Sequence, residues 1–112
     1  MYMETELNGV KVITLYGRFD ATKSDVFKRY IDSLTENCES DNFVIDMSKV
    51  SYMDCIGFDS ILYTLRKIRE QLGNLKIVCI DAIFSVFQFT RGHRLIEIYD
   101  DTQIAVSSFD VS

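Results

Sequence analysis

Residues 54–57, Asp-Cys-Ile-Gly, lie where the chain changes from a buried strand to an amphipathic helix. Asp54 is where this helix needs an N-cap, and a carboxylate there contributes about 1 kcal/mol. The free N–H groups and the dipole of a helix N-terminus also favour anions. Gly57 lowers helix propensity, and two interpretations stay open: close packing against the preceding strand, or a turn left open for a partner. Ile56 is unexpected because this first turn is predicted to be exposed.

No other group of residues has the spacing of a catalytic or metal site. The single histidine, His93, lies among arginines without an evident nucleophile or acid partner, which favours a solvated surface histidine. Cys38, Cys55 and Cys79 form no C-x-x-C pair, and Cys79 is predicted to be a small core residue. Both glycine-rich phosphate-binding motifs are missing from the sequence. We therefore expect a protein that is not an enzyme and has neither a cofactor nor a metal ion.

Composition narrows the class of protein further. With 112 residues, 47% hydrophobic and 26% charged, the chain is expected to form one globular domain over 1–112. A net charge of −5 argues against nucleic-acid binding and mildly favours a basic protein partner. Neither a signal-peptide pattern nor an apolar run of membrane-spanning length is present, so we expect a cytoplasmic protein with reduced thiols and no direct membrane insertion.

Hydrophobic periodicity predicts strands alternating with helices. An Asn8-Gly9 hairpin turn separates the first two strands. The first helix is expected to begin near Asp20 or Thr22, and the last to be capped by Asp101 or Thr102. The expected order is β-β-α-β-α-β-α-β-α, which implies βαβ crossovers and a mixed, mostly parallel sheet in an α/β fold, with four helices packed chiefly on one face. The predicted strands are 3–7, 10–17, 42–48, 75–81 and 96–100, and the predicted helices are 22–35, 55–72, 83–89 and 101–109.

The apolar residues of the two longest helices recur at helical spacing and mark their buried faces. Gly73-Asn74 is expected to cap the C-terminus of the second helix. In the first helix the predicted buried residues are Val26, Phe27, Tyr30, Ile31 and Leu34; in the second they are Phe58, Ile61, Leu62, Leu65, Ile68 and Leu72.

The central segment, NFVIDMSKVSYMDCIGFDSILYTLRKIREQLGNLKIVCI, resembles the centre of a STAS domain, the family of bacterial anti-sigma factor antagonists. In that family an apolar strand ends in aspartate, here Asp46, and a short turn leads to Asp-Ser-Ser/Thr-Gly at a helix start. LYGRFDAT resembles the earlier Gly-x-hydrophobic-Asp element and places Asp20 in its loop. FTRGHRLIEIYDD resembles the later helix end and final strand, so the similarity spans nearly the whole chain.

The resemblance implies a binding module whose partner is an anti-sigma factor, commonly one with a kinase-like ATPase fold. It also implies a switch, since the partner phosphorylates the second hydroxyl residue of the loop and a serine phosphatase resets it. A dianion in a packed interface brings repulsion and a desolvation cost. By this resemblance the partner-binding residues are Asp20, Asp54, Cys55, Ile56 and Gly57.

This sequence departs from the family at the acceptor position. Alignment on Asp54 and Gly57 puts Cys55 at the first hydroxyl position and Ile56 at the phosphoacceptor, and isoleucine cannot be phosphorylated. We therefore expect no phosphorylation at this position. The chain is then either a constitutively active antagonist or a STAS domain with a phosphorylation-independent contact. Ile56 itself either meets a partner or folds back into the core.

Three functional classes remain for comparison. The first is an anti-sigma factor antagonist-like regulator without the phosphorylation switch. The second is a structural STAS subunit of a larger signalling or lipid-transport assembly. The third is an enzyme, but the sequence contains no recognisable set of catalytic residues. Oligomeric state has no signature in the sequence.

Overall fold

A five-stranded sheet forms the centre of the protein in the computed structural model, which describes residues 2–37 and 41–110. Cys38 lies outside the described residues. The elements in chain order are β1 (Tyr2–Leu7), β2 (Val10–Phe19), α1 (Ala21–Asn37), β3 (Asn42–Met53), α2 (Cys55–Glu70), β4 (Asn74–Val78), α3 (Asp81–Phe89), a 3₁₀ turn (Gly92–Arg94), β5 (Glu97–Tyr99), α4 (Thr102–Ser107) and a second 3₁₀ turn (Ser108–Asp110).

The strands lie in the sheet in their chain order, β1-β2-β3-β4-β5. β1 and β2 are antiparallel, and the turn between them places Asn8 at φ 51° and Gly9 at φ 80°. Positive φ at both central residues is what a two-residue hairpin turn requires, which explains Asn-Gly here. The other neighbouring strands are parallel. The predicted element order and the mixed, mostly parallel sheet are confirmed.

The helices cover both faces of the sheet unequally. α1, α2 and α3 pack on one face, where Phe27, Ile61 and Phe87 are fully buried in a large core with Ile13 and Ile45 of the sheet. α4 packs on the opposite face through a smaller apolar cluster, to which it contributes Ala105 and Val106. Three helices thus share one face, as expected, and the fourth covers part of the other.

β2 and β3 extend beyond their neighbours in the sheet. β4 pairs with β3 only from Asn42 to Asp46, and β1 pairs with β2 only as far as Leu15. Beyond these points β2 and β3 pair with each other alone, ending at Phe19 and Met53. The predicted strand 42–48 was therefore too short. This two-stranded ribbon places the first residues of α1 and α2 side by side.

Five of the predicted buried residues need correction, and two of them, Tyr30 and Leu34 of α1, are only partly buried. Val26 is 51% exposed because it lies about 100° around the helix from buried Phe27. Leu62 is only partly buried, although Phe58 and Leu65 are buried as expected. Leu72 is 93% exposed because α2 has already ended at Glu70.

Leu72, not Gly73, takes the left-handed position at the end of α2, with φ 64°. The Leu72 amide donates to the Arg69 carbonyl and the Gly73 amide to the Ile68 carbonyl, which is the Schellman pattern. A Cβ on Gly73 would lie 2.6 Å from the Asp41 carbonyl oxygen, so glycine is needed there for close packing. The cap is therefore formed by Leu72 and Gly73, one residue earlier than the predicted Gly73-Asn74 cap.

Candidate functional site

The carboxylate of Asp54 connects the first turns of two helices. Its Oδ1 accepts a hydrogen bond from the Gly57 amide at 2.7 Å, which caps α2 as predicted. Its Oδ2 accepts from the Ala21 amide at 3.1 Å, and Ala21 is the first residue of α1. One side chain therefore satisfies N-terminal amides of both helices, which would otherwise need water or other acceptors.

Gly57 is buried where α2 passes the end of β2. A Cβ at this position would lie 2.2 Å from the carbonyl oxygen of Phe19 and 3.1 Å from Cγ of Met53. Real Cβ atoms do not approach a backbone oxygen so closely, so any larger residue must move the helix. Of the two interpretations of Gly57, close packing describes its position.

A buried pair of hydroxyls lies one turn further along the two helices. Ser24 Oγ of α1 and Ser60 Oγ of α2 are 2.9 Å apart, and both residues are at most 5% exposed. Ser60 Oγ also donates to the carbonyl oxygen of Ile56 at 3.2 Å. Because the buried hydroxyls satisfy each other, they fix the spacing of α1 and α2 without leaving a polar group unpaired.

Asp20 is the N-cap of α1. It is one of the two residues, Asp20 and Thr22, at which the sequence predicted this helix to begin. Its Oδ1 accepts hydrogen bonds from the Thr22 amide at 3.1 Å and from the Thr22 hydroxyl at 2.5 Å. Its Oδ2 lies 3.4 Å from Nε of Arg18. These contacts, the Thr22 hydroxyl first, hold the pKa of Asp20 below its ordinary value. The carboxylate is therefore ionised and structurally engaged.

The surface around these caps combines apolar and aromatic groups. Ile56 is 47% exposed and Tyr52 is 43% exposed, while Cys55 is exposed beside them in the chain. The guanidinium of Arg18 lies 4.3 Å from the ring centroid of Tyr52, so the two side chains stack. Because Ile56 is not part of the buried core, the core-packing interpretation of this residue is wrong.

The structure brings the five predicted site residues together at one end of the domain. Asp20 precedes Ala21, and Ala21 is hydrogen-bonded to Asp54, so the two aspartates lie in neighbouring turns. Sequence reasoning missed the second hydrogen bond of Asp54, the Ser24–Ser60 pair and the stacking of Arg18 on Tyr52. A pattern along the chain reports only local partners, and these contacts join residues far apart in sequence.

The remaining residues considered for chemistry lie apart from one another. His93 Nδ1 is 3.2 Å from the carbonyl oxygen of Phe87. Cys79 is 3% exposed, and burial raises the pKa of its thiol to about 12. Among residues 2–37 and 41–110, His, Cys, Asp and Glu side chains form no group of three or more that could hold a metal ion. The helices described there are too short or too polar to cross a membrane.

Comparison with known proteins gives a consistent match over almost the whole chain. The family model described as STAS domain matches residues 2–105. An anti-sigma F factor antagonist from Paenibacillus polymyxa is 20% identical over 104 residues, covering 92% of this chain and 89% of that protein.

Two solved structures illustrate the shared fold. The unphosphorylated form of the antagonist SpoIIAA superposes with a TM-score of 0.77 at 17% identity, covering 100% of both chains. A putative anti-sigma factor antagonist from Thermotoga maritima superposes with a TM-score of 0.87 at 18% identity, covering 96% of this chain and 92% of the other.

Proposed function

The chain belongs to the STAS domain family, and on that premise we propose that it is an anti-sigma factor antagonist-like regulator that works without a phosphorylation switch. Its partner is an anti-sigma factor, of the class with a kinase-like ATPase fold. When the chain binds this anti-sigma factor, the anti-sigma factor releases the sigma factor that it holds. The site of action proposed for the chain is the cytoplasm.

The position of Ile56 is the observation that carries this proposal. An isoleucine in the first turn of α2, 47% exposed, leaves apolar surface in water unless another protein covers it. Exposed Tyr52 with its stacked Arg18 extends the same surface, and both Tyr and Arg are enriched among interface hot spots. Asp54 and Gly57 hold this turn rigidly against α1 and β2, so little ordering entropy is lost when a partner binds.

The chemistry of the acceptor position supports the proposed absence of a phosphorylation switch. Ile56 has no hydroxyl to accept a phosphoryl group. Ser60 lies a full helical turn later, where it is 0% exposed and hydrogen-bonded to Ser24, so a kinase cannot reach it without unfolding the helix contact. Ser51 is exposed on the β2–β3 ribbon but lies before the cap, displaced from the acceptor position.

Affinity purification from the native cell tests the partner class. The tagged protein and its Ile56→Glu variant are used in parallel, and the captured proteins are identified by mass spectrometry. We expect a kinase-like ATPase with the wild type and its loss with the variant. Capture of a membrane ATPase, or of many STAS chains, would instead assign the protein to the alternative class, a structural STAS subunit of a signalling or lipid-transport assembly.

A further inference from the structure

A basic surface lies at the other end of α2, on a chain whose net charge is −5. Arg66 and Arg69 come from the last turns of α2, and Arg94 comes from the 3₁₀ turn that follows α3. All three are exposed. The local charge is thus opposite in sign to that of the whole molecule, and a local field of this kind selects anionic groups.

An apolar groove of about 490 Å³ lies beside Arg66 and Arg69. Leu62, Leu65 and Leu95 supply its apolar lining, and Leu95 is 51% exposed. Arg66 and Arg69 line its edge together with one carboxylate, that of Glu70. A second groove, of about 300 Å³, shares Arg69 and Leu95 with the first and continues past Arg94. Apolar surface bordered by charge is typical of a protein-binding groove.

The arginines of this surface have no acidic partners within the described ranges 2–37 and 41–110. The four ion pairs found there involve Lys11, Arg18, Lys67 and Lys76, and none involves Arg66, Arg69 or Arg94. Glu97, the other carboxylate beside the grooves, is already paired with Lys76 at 3.4 Å. Arg69 is fixed by a hydrogen bond of 2.9 Å to the Leu95 carbonyl oxygen. Arg69 is therefore held in place, and the described carboxylates leave the charge of all three guanidinium groups available.

This surface is distinct from the one at Ile56. Arg69 follows Ile56 by thirteen residues of one helix, a separation of roughly 20 Å along its axis at 1.5 Å per residue. The two surfaces are therefore separated by most of the length of α2.

We propose that the groove lined by Leu62, Leu65 and Leu95 is a second docking surface, which binds an acidic amphipathic segment of a protein partner. Leucine-type side chains of the segment enter the groove, and its Asp or Glu residues pair with Arg66, Arg69 and Arg94. Carboxylates match guanidinium groups bidentately, which gives such a contact its orientation. This inference is independent of the proposed anti-sigma function.

The test uses the full chain, ¹⁵N-labelled, and a helical peptide composed of glutamate and leucine in amphipathic order. Amide shifts should saturate and be concentrated around Leu62, Arg66 and Leu95, with affinity that falls as salt is raised. A peptide of the same composition in scrambled order, and one with lysine in place of glutamate, should bind at least about tenfold more weakly. Shifts that are not saturable, or that centre elsewhere, would overturn the proposal.

Charge reversal locates the contact. Arg66→Glu combined with Arg94→Glu should weaken peptide binding at least about tenfold. Arg29→Glu combined with Lys49→Glu is the matched control, because both residues are exposed and the net charge changes equally; it should leave affinity within about twofold. Equal losses in both variants would mean a nonspecific charge effect.

Arginine-dependent binding to phosphatidylglycerol vesicles without peptide binding, or arginine-dependent self-association, would assign the surface to lipid or to a second copy and overturn the proposed occupant.

Discussion

The side chain of Asp54 accepts a hydrogen bond from the backbone amide of Ala21, 33 residues earlier in the chain, at 3.1 Å. The same carboxylate caps its own helix through the Gly57 amide. The first turns of α1 and α2 are therefore locked together by a single side chain, and the residues around them, Asp20 and Ile56, are presented as one rigid surface.

Removal of the Asp54 carboxylate should destabilise the fold. Asp54→Ala leaves both amides without this acceptor, and we expect a loss of about 1–2 kcal/mol in the free energy of unfolding, measured in urea. Asp54→Asn keeps one carbonyl oxygen but turns an amide N–H₂ group toward the other donor, so it should fall between the wild type and alanine. Asp59→Ala, at an exposed position of the same helix, is the control and should change stability by no more than about 0.5 kcal/mol.

Gly57→Ala tests whether close packing or helix propensity decides at this position. Propensity alone would favour alanine by roughly 1 kcal/mol. The added Cβ would lie 2.2 Å from the Phe19 carbonyl oxygen, so we expect instead a net loss of roughly 1–3 kcal/mol, as for other overpacked sites. A variant more stable than the wild type in urea unfolding would show that α2 can move away from β2 at little cost.

Leu72→Gly should stabilise the protein. Leu72 is 93% exposed and has φ 64°, a conformation that costs an L-residue with a side chain about 1 kcal/mol and glycine almost nothing. Little buried contact is lost with the side chain. We expect the midpoint of urea unfolding to rise, with a smaller rise for Leu72→Asn. A fall in the midpoint would mean that the leucine has an apolar contact that its exposure does not reveal.

Thiol labelling should separate Cys55 from Cys79. Thiolates are the reactive species, and burial raises the pKa of Cys79 to about 12, so this thiol stays protonated and inaccessible at neutral pH. Cys55 is exposed. In a Cys38→Ser background, a chromogenic disulfide reagent should label one thiol rapidly and the second only in urea. Rapid labelling of both thiols in the native protein would contradict the burial of Cys79.

The sequence predicted the order of elements because hydrophobic periodicity differs strongly between strands and helices. It also placed Asp54 at a helix start and gave Asp20 as one of two candidate N-caps, the other being Thr22, since N-caps have a local signature. Leu72 was misassigned because its spacing continues the buried stripe of α2, while the backbone has already left the helix. Nothing along the chain marks Gly73 as the residue packed against Asp41.

The candidate site could be located from the sequence but not understood from it. Residues 54–57 stood out by their types, yet the reason for Gly57 is the carbonyl of Phe19, and the second partner of Asp54 is Ala21. The family resemblance implies a partner-binding role for Asp20. The structure makes it the cap of α1, so Asp20→Ala should also cost about 1 kcal/mol, and Asp20→Ser, which keeps a capping oxygen, is the better variant for a binding assay.

Restoring a hydroxyl at position 56 tests the proposed absence of a phosphorylation switch. Ile56→Ser supplies the acceptor that the family has at this position, and incubation with the captured kinase-like partner and ATP should give phosphoserine in the variant. The wild type should give none at this loop, by phosphopeptide mass spectrometry. Phosphorylation of wild-type Ser51 or Ser60 would contradict the proposal that the switch is absent.

The affinity of Ile56→Glu for the captured anti-sigma factor, measured by calorimetry, shows whether Ile56 lies in the contact with the partner. A carboxylate in the first turn suits the dipole of α2, so the variant should fold, with a urea midpoint near that of the wild type. In an apolar contact the same charge would be desolvated without a partner, and we expect at least about a hundredfold loss of affinity. Val26→Glu, which puts the same charge at an exposed apolar position of α1, should bind normally. Binding of Ile56→Glu with wild-type affinity would show that Ile56 does not lie in the contact with the anti-sigma factor.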